Sequence, residues 1–234
     1  MKPPLLLLHG AIGSSAQFDQ LAFMLEPHFE TVHRFDFEGH GHAPLRDRPF
    51  RMEHFSENTR EYLAAHSIDS INIFGYSLGG YVAILFAQQY PKRVKRLATL
   101  GTKYLWDTEA AAREVRLLDP EKIKAKVPAL ARTLEARHTA GWENVLARTR
   151  EMLTALGQSP ALTLTDVAVI QQRIRLMIGD KDTMAGIEDS LRVYRALPNA
   201  EFEVLPDTPH PLEYVRPDRI ARSLIEFFDE SSME

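Results

Sequence analysis

Cysteine is absent from the 234-residue chain. That excludes disulfides, thiolate metal ligation, iron–sulfur clusters and a cysteine nucleophile. Any covalent catalysis falls to Ser, Thr, Lys, His or a carboxylate. An excess of positive charge is also lacking: 28 Lys and Arg stand against 32 Asp and Glu, a formal charge of −4. A general nucleic-acid binder would carry a basic face, so nucleic acid is not an expected partner. Long apolar runs are missing as well. The longest aliphatic run, Leu5–Leu8, is four residues. A bilayer span needs about 20 and a signal-peptide core roughly 7 to 15. No membrane partner is expected, and the expected location is the cytoplasm. What remains, 44% hydrophobic and 26% charged residues, is the composition of a folded globular protein.

Short apolar runs alternate with amphipathic stretches. Strands are expected at Pro4–His9, Thr31–Phe37, Ser70–Tyr76, Val94–Gly101, Arg173–Gly179 and Ala200–Leu205. Helices are expected at Ser15–Leu25, Glu53–His66, Leu78–Tyr90, Ala185–Leu197 and Val215–Asp229. This alternation predicts an α/β fold with a mostly parallel sheet flanked by helices. Several runs are apolar at nearly every position, as strands buried on both faces should be. One interval breaks the pattern. Between Thr102 and Ile170 only helical patterns occur: Thr108–Leu118, Pro120–His138, Gly141–Leu156 and Leu162–Ile170. The expected organisation is a core of residues 1–101 and 171–234 with a helical insertion, 102–170, over the sheet's carboxyl edge. The tail Ser231–Glu234 is expected to fray.

Gly75-Tyr76-Ser77-Leu78-Gly79-Gly80 lies where the strand INIFGY meets the helix LGGYVAILFAQQY. In that context G-x-S-x-G is a nucleophile elbow, a tight strand-to-helix turn that presents the serine in a strained conformation. Ser77 then precedes a helix whose first N–H groups lack partners and favour negative charge. Leu8-His9-Gly10-Ala11 closes the first strand. In a hydrolase built around such an elbow, the loop after this strand supplies one backbone N–H to an oxyanion hole and the residue after the nucleophile supplies the other. Those residues are Ala11 and Leu78. His9 is expected to prop its loop by hydrogen bonding.

With these motifs the chain resembles the α/β-hydrolase fold superfamily along nearly its whole length. Asp36-Phe37-Glu38-Gly39-His40-Gly41-His42-Ala43 is similar to the family's D-x-x-G-H-G-x-S loop, with Ala43 where Ser is usual. The resemblance implies a helical cap after the strand that follows the elbow helix, which the strandless interval matches. The chain starts on what would be the family's third strand, so the resemblance implies a six-stranded sheet without the usual N-terminal antiparallel hairpin.

An elbow of this type is completed by an acid and a histidine in the order Ser, Asp or Glu, His. Of nine histidines, only His210 lies in a loop between a final strand and a final helix, flanked by Pro209 and Pro211. The acid should follow RIRLMIG, where Asp180 and Asp182 both qualify. The family's G-x-x-D pattern selects Asp182. Asp207 reads as a local turn former. The resemblance thus implies a serine hydrolase with the triad Ser77, Asp182 and His210, cleaving a carboxylic ester, thioester or related acyl bond of a small molecule through an acyl-enzyme. Two other activities fit the same residues. One is a lyase or C–C bond hydrolase resembling the menaquinone-pathway enzyme, which uses the triad for proton abstraction. The other is a binding protein without turnover. No cofactor is needed, and the His40-x-His42 pair lacks the carboxylate–histidine cluster that a metal site would require. Tyr76, Trp106 and Trp142 are candidate pocket residues. Oligomeric state is not legible.

Overall fold

The structure, a computed structural model, describes residues 4–229. The tail Ser231–Glu234 lies outside the described residues. The chain runs β1 (Leu5–Leu8), α1 (Asp19–Leu25), β2 (Val32–Arg34), α2 (Met52–Ala65), β3 (Ile71–Tyr76), α3 (Leu78–Gln89) and β4 (Val94–Leu100). Five helices follow: α4 (Thr108–Leu117), α5 (Pro120–Lys126), α6 (Pro128–Arg137), α7 (Trp142–Gln158) and α8 (Leu164–Val167). The chain then returns through β5 (Arg173–Gly179), α9 (Ile187–Ala196), β6 (Ala200–Leu205) and α10 (Pro217–Phe228). The strands form one six-stranded sheet in the order β2-β1-β3-β4-β5-β6, parallel at every pairing. Among the described residues no helix is long and apolar enough to cross a membrane.

The continuous apolar runs follow from this layering. Successive strand residues face opposite sides of a sheet. In β1, Leu6 and Leu8 join one apolar cluster with Phe55 of α2, Val82 and Phe86 of α3 and Val193 of α9. Leu5 and Leu7 join the other, with Leu21 and Leu25 of α1 and Leu224 and Phe228 of α10. A polar residue at any β1 position would lie under a helix without water or a partner.

Two expected helices are interrupted. Ser15–Leu25 begins as a short 3-10 turn, Ser15–Phe18, before α1. Pro120–His138 divides into α5 and α6 at Val127, whose backbone sits at φ −137°, ψ 60°. Pro128 is the cause, since its ring disfavours helical geometry in the preceding residue and it has no N–H to continue the ladder. Asp107 and Asp119 cap α4 and α5 with their carboxylates. The buried face of α7, including Val145, Met152 and Leu153, joins the same cluster as α2 and α3. Ile123, Leu134, Trp142 and Leu146 form a small core of their own between α5, α6 and α7.

The strand order places a topological switch between β1 and β3, since the chain leaves β1 toward β2 on one side and resumes beyond β1 at β3. Loops that follow neighbouring strands at such a point part company and leave a crevice at the carboxyl edge. At Gly79 the helix after β3 approaches the end of β1 so closely that a Cβ would lie 2.1 Å from the Leu8 carbonyl oxygen and 2.6 Å from that of His9. At Gly75 a Cβ would meet the Gly79 carbonyl oxygen at 2.4 Å. No side chain fits between these backbones. Gly79→Ala is therefore expected to destabilise the fold by about 3 kcal/mol, because backbone must move to admit the methyl group. Urea unfolding measures this, and an unchanged midpoint would contradict the packing described.

Candidate active site

Ser77 occupies the turn between β3 and α3 with φ 52° and ψ −117°. An L-residue in this region stores roughly 1–3 kcal/mol of strain and persists only where its surroundings hold it. The Ser77 N–H donates to the Leu100 carbonyl at 2.8 Å. Its own carbonyl accepts from the amides of Gly80 at 3.0 Å and Tyr81 at 3.2 Å. The Thr102 hydroxyl donates to the same oxygen at 3.1 Å. With both backbone groups engaged, the side chain projects into the crevice.

His210 follows β6 in the loop between Pro209 and Pro211, and its Nε2 lies 3.2 Å from Ser77 Oγ. Its Nδ1 lies 2.8 Å from Asp182 Oδ2. An ionised carboxylate only accepts, so the imidazole proton sits on Nδ1 and the Nε2 lone pair faces the serine hydroxyl. The second Asp182 oxygen accepts from the amides of Met184 and Ala185, each at 2.9 Å. Burial raises the Asp182 pKa, but the His210 hydrogen bond and charge, together with the two amides, outweigh it and leave the carboxyl below its ordinary value. Gly101, at φ 60°, closes the back of the pair: a Cβ there would lie 2.9 Å from Asp182 Oδ2 and 3.3 Å from His210 Nδ1. Tyr76 both lines the crevice and donates its hydroxyl to the His210 carbonyl at 2.7 Å.

The other two aspartates of this region serve turns. Asp180 accepts from the Thr208 amide at 3.0 Å, and Asp207 pairs with Lys181. The groups that support Asp182 and His210, namely Gly101 and the Met184 and Ala185 amides, leave little trace in the sequence. A glycine closing the carboxyl end of a strand is the only local sign of the first. Amides leave none.

The loop after β1 lies against the elbow. A Cβ on Gly10 would meet the Tyr76 ring at 2.9 Å and the Ser77 Cβ at 3.3 Å. The Gly13 amide closes a turn on the Gly10 carbonyl at 3.1 Å, with Ile12 at φ 51°. Ala11 and Leu78 both line the crevice beside Ser77. His9 is fully buried beneath this turn; its Nδ1–H donates to the Gly10 carbonyl at 2.8 Å, and its Nε2 accepts from the Phe37 amide at 3.1 Å. Asp36 ties the adjoining loop to it by accepting from the Ser15 amide at 2.7 Å and the His42 amide at 2.9 Å.

Ser77 and His210 open into a cavity of about 350 Å³ beneath the helices of residues 102–170. Met52, Leu118, Ile123, Leu130 and Leu153 make its walls mainly apolar. Lys103 and Glu114 add an ion pair at 3.7 Å, both side chains largely buried. Trp106 lines the cavity. Trp142 does not appear on its wall: it packs with Ile123, Leu134 and Leu146 between α5, α6 and α7, because its place at the first turn of α7 points it into that small core.

Burial lowers the His9 pKa from 6.5 to about 4. His40 and His138 are lowered too, mainly by burial. These rings are neutral in the fold but take up protons in the unfolded chain below about pH 6.5. Stability is therefore full above that value and falls with acid through the window down to about pH 4. The His9 share alone comes to about 2 kcal/mol between pH 7 and pH 5. His9→Gln, which keeps a donor and an acceptor, should flatten the pH dependence of urea unfolding by that amount; parallel curves for both proteins would contradict it.

The fold and site place the chain among known proteins. The signature described as alpha/beta hydrolase fold matches residues 3–140. The human serine hydrolase-like protein is 30% identical over 155 residues, covering 65% of this chain and 75% of that protein. A pimeloyl-[acyl-carrier protein] methyl ester esterase of Chromobacterium violaceum is 27% identical over 235 residues, covering 89% and 87%. A probable alcohol acetyltransferase of Wickerhamomyces anomalus is 32% identical over 93 residues, but this covers 39% of the chain and only 27% of that protein. Among solved structures, a meta-cleavage product hydrolase of Pseudomonas fluorescens superposes with a TM-score of 0.79 at 22% identity, covering 98% and 91% of the two chains. The chain belongs to the alpha/beta hydrolase fold family.

Proposed function

We propose that the protein is a serine hydrolase that cleaves a carboxylic ester, thioester or related acyl bond of a small molecule through an acyl-enzyme on Ser77. The observation that carries this reading is the continuous chain from Ser77 Oγ to His210 Nε2 at 3.2 Å and from His210 Nδ1 to Asp182 at 2.8 Å. Neutral His210 takes the hydroxyl proton as Ser77 Oγ bonds to the acyl carbon. Asp182 holds the tautomer and stabilises the imidazolium. The amides of Ala11 and Leu78 donate to the oxyanion, each worth around 3 kcal/mol in systems of this kind. Collapse of the tetrahedral intermediate expels the alcohol or thiol, which takes the proton from His210 Nε2. Water then gives a proton to His210, attacks the ester on Ser77 and releases the acid.

The apolar cavity supports an acyl portion that is itself mainly hydrocarbon, of a size that a pocket near the small end of the ligand range admits. The esterase named among the relatives supports the ester class.

A fluorophosphonate probe is expected to label Ser77, and Ser77→Ala to abolish labelling. On whichever member of an ester, thioester and diketone panel is turned over, Asp182→Asn should lower kcat by about 10⁴-fold through the wrong tautomer of His210. Asp180→Asn should stay close to wild type. The reverse ranking of the two aspartates would overturn the assignment of the acid.

A further inference from the structure

The turn that carries Ala11 is held from above. Ile12, a β-branched residue at φ 51°, sits where such side chains are seldom found. Its carbonyl accepts two hydrogen bonds from the helical insertion: Arg137 donates at 3.0 Å and His138 Nε2 at 2.9 Å. The other ring nitrogen of His138, Nδ1, accepts from the Gly41 amide at 3.0 Å. An amide can only donate, so His138 is neutral with its proton on Nε2, and the two bonds fix each other. Thr139 completes the contact by donating its amide to the Gly41 carbonyl at 3.0 Å. Three consecutive residues at the end of α6 thus clamp the loops after β1 and β2. His138 is buried but does not line the cavity, so it has no route to the substrate.

We propose that His138 is a positioning residue for the oxyanion hole: it pins the Ile12 carbonyl from the helical insertion, keeping the strained Gly10–Gly13 turn in the geometry that aims the Ala11 amide beside Ser77. This rests on the reading of Ser77 as the nucleophile. Two donors on one carbonyl, one of them from a ring whose second nitrogen is itself engaged, hold residue 12 in a conformation it would otherwise leave. Without them, residue 12 relaxes toward the extended region and the turn shifts. A misplacement of the order of an ångström is enough to weaken a hydrogen bond to the transition state while leaving the substrate pocket unaltered.

The test compares His138→Ala with His138→Gln, which keeps a donor and an acceptor on a flexible stem. His138→Met, similar in bulk and without either, replaces the alanine variant should that fail to fold. Amide hydrogen exchange over residues 10–13 is read first, because it needs no activity. The expected result is exchange at least about tenfold faster in His138→Ala and nearer wild type in His138→Gln. On a panel substrate that the wild type turns over, kcat should fall about 10- to 100-fold in His138→Ala with KM nearly unchanged, and His138→Gln should restore much of it. Unchanged exchange would overturn the proposal, as would faster exchange with an unaltered kcat, or a loss that appears in KM alone. A wild type that takes no fluorophosphonate and turns over no panel member would defeat the nucleophile reading instead, and the exchange measurement would still decide whether His138 holds the turn.

Discussion

The site depends on a contact that contains no side chain. At Gly79 the first turn of α3 comes so near the end of β1 that a methyl group would overlap the Leu8 carbonyl. That approach puts the loop after β1 and the turn after β3 side by side at the switch in strand order. It also fixes the direction in which Ser77 leaves the backbone. The strain at Ser77 is tolerated because the β4 carbonyl of Leu100, the Thr102 hydroxyl and the first turn of α3 all bind the same residue. Packing at the sheet centre, where α3 is buried nearly all round, provides the rigidity that such a conformation requires.

Electrostatics around this frame separates the histidines by task. His210 stands between Ser77 Oγ and the Asp182 carboxylate, the latter 2.8 Å from its Nδ1. His9, His40 and His138 are kept neutral by burial. His9 and His138 use both ring nitrogens to bridge loops, whereas His40 bonds only the Glu38 carbonyl of its own loop. His9 and His138 donate to the Gly10 and Ile12 carbonyls of the loop after β1, and Arg137 adds a charged donor to the second. Arg137, His138 and Thr139 at the end of α6 join this network, so the helices over the cavity also hold the loops after β1 and β2.

Much of this was legible in the sequence, for identifiable reasons. Strands buried on both faces leave unbroken apolar runs, and β5 and β6 coincide with the segments expected for them. The elbow was legible because its glycines are required by contact, and His210 because a prolines-flanked loop after the last strand leaves few rivals. His9 reads correctly as a prop, since His-Gly after a strand has one ring nitrogen free to return to the backbone. What was not legible depends on three dimensions. Trp142 was expected as a possible cavity residue, yet the direction of a side chain on α7 is set by how α5 and α6 pack on it. The division at Pro128 follows from a local rule, but helical periodicity on both sides masks it. The reach of His138 to Ile12 spans residues far apart in the chain, so no spacing reveals it.

Acylation of Ser77 is read by rapid-quench kinetics with a p-nitrophenyl ester. Mixing enzyme with excess ester should release a burst of one nitrophenol per site, and the quenched protein should carry the acyl group on Ser77 by peptide mass. Steady turnover with no burst and no adduct, undiminished in Ser77→Ala, would rule out an acyl-enzyme on Ser77.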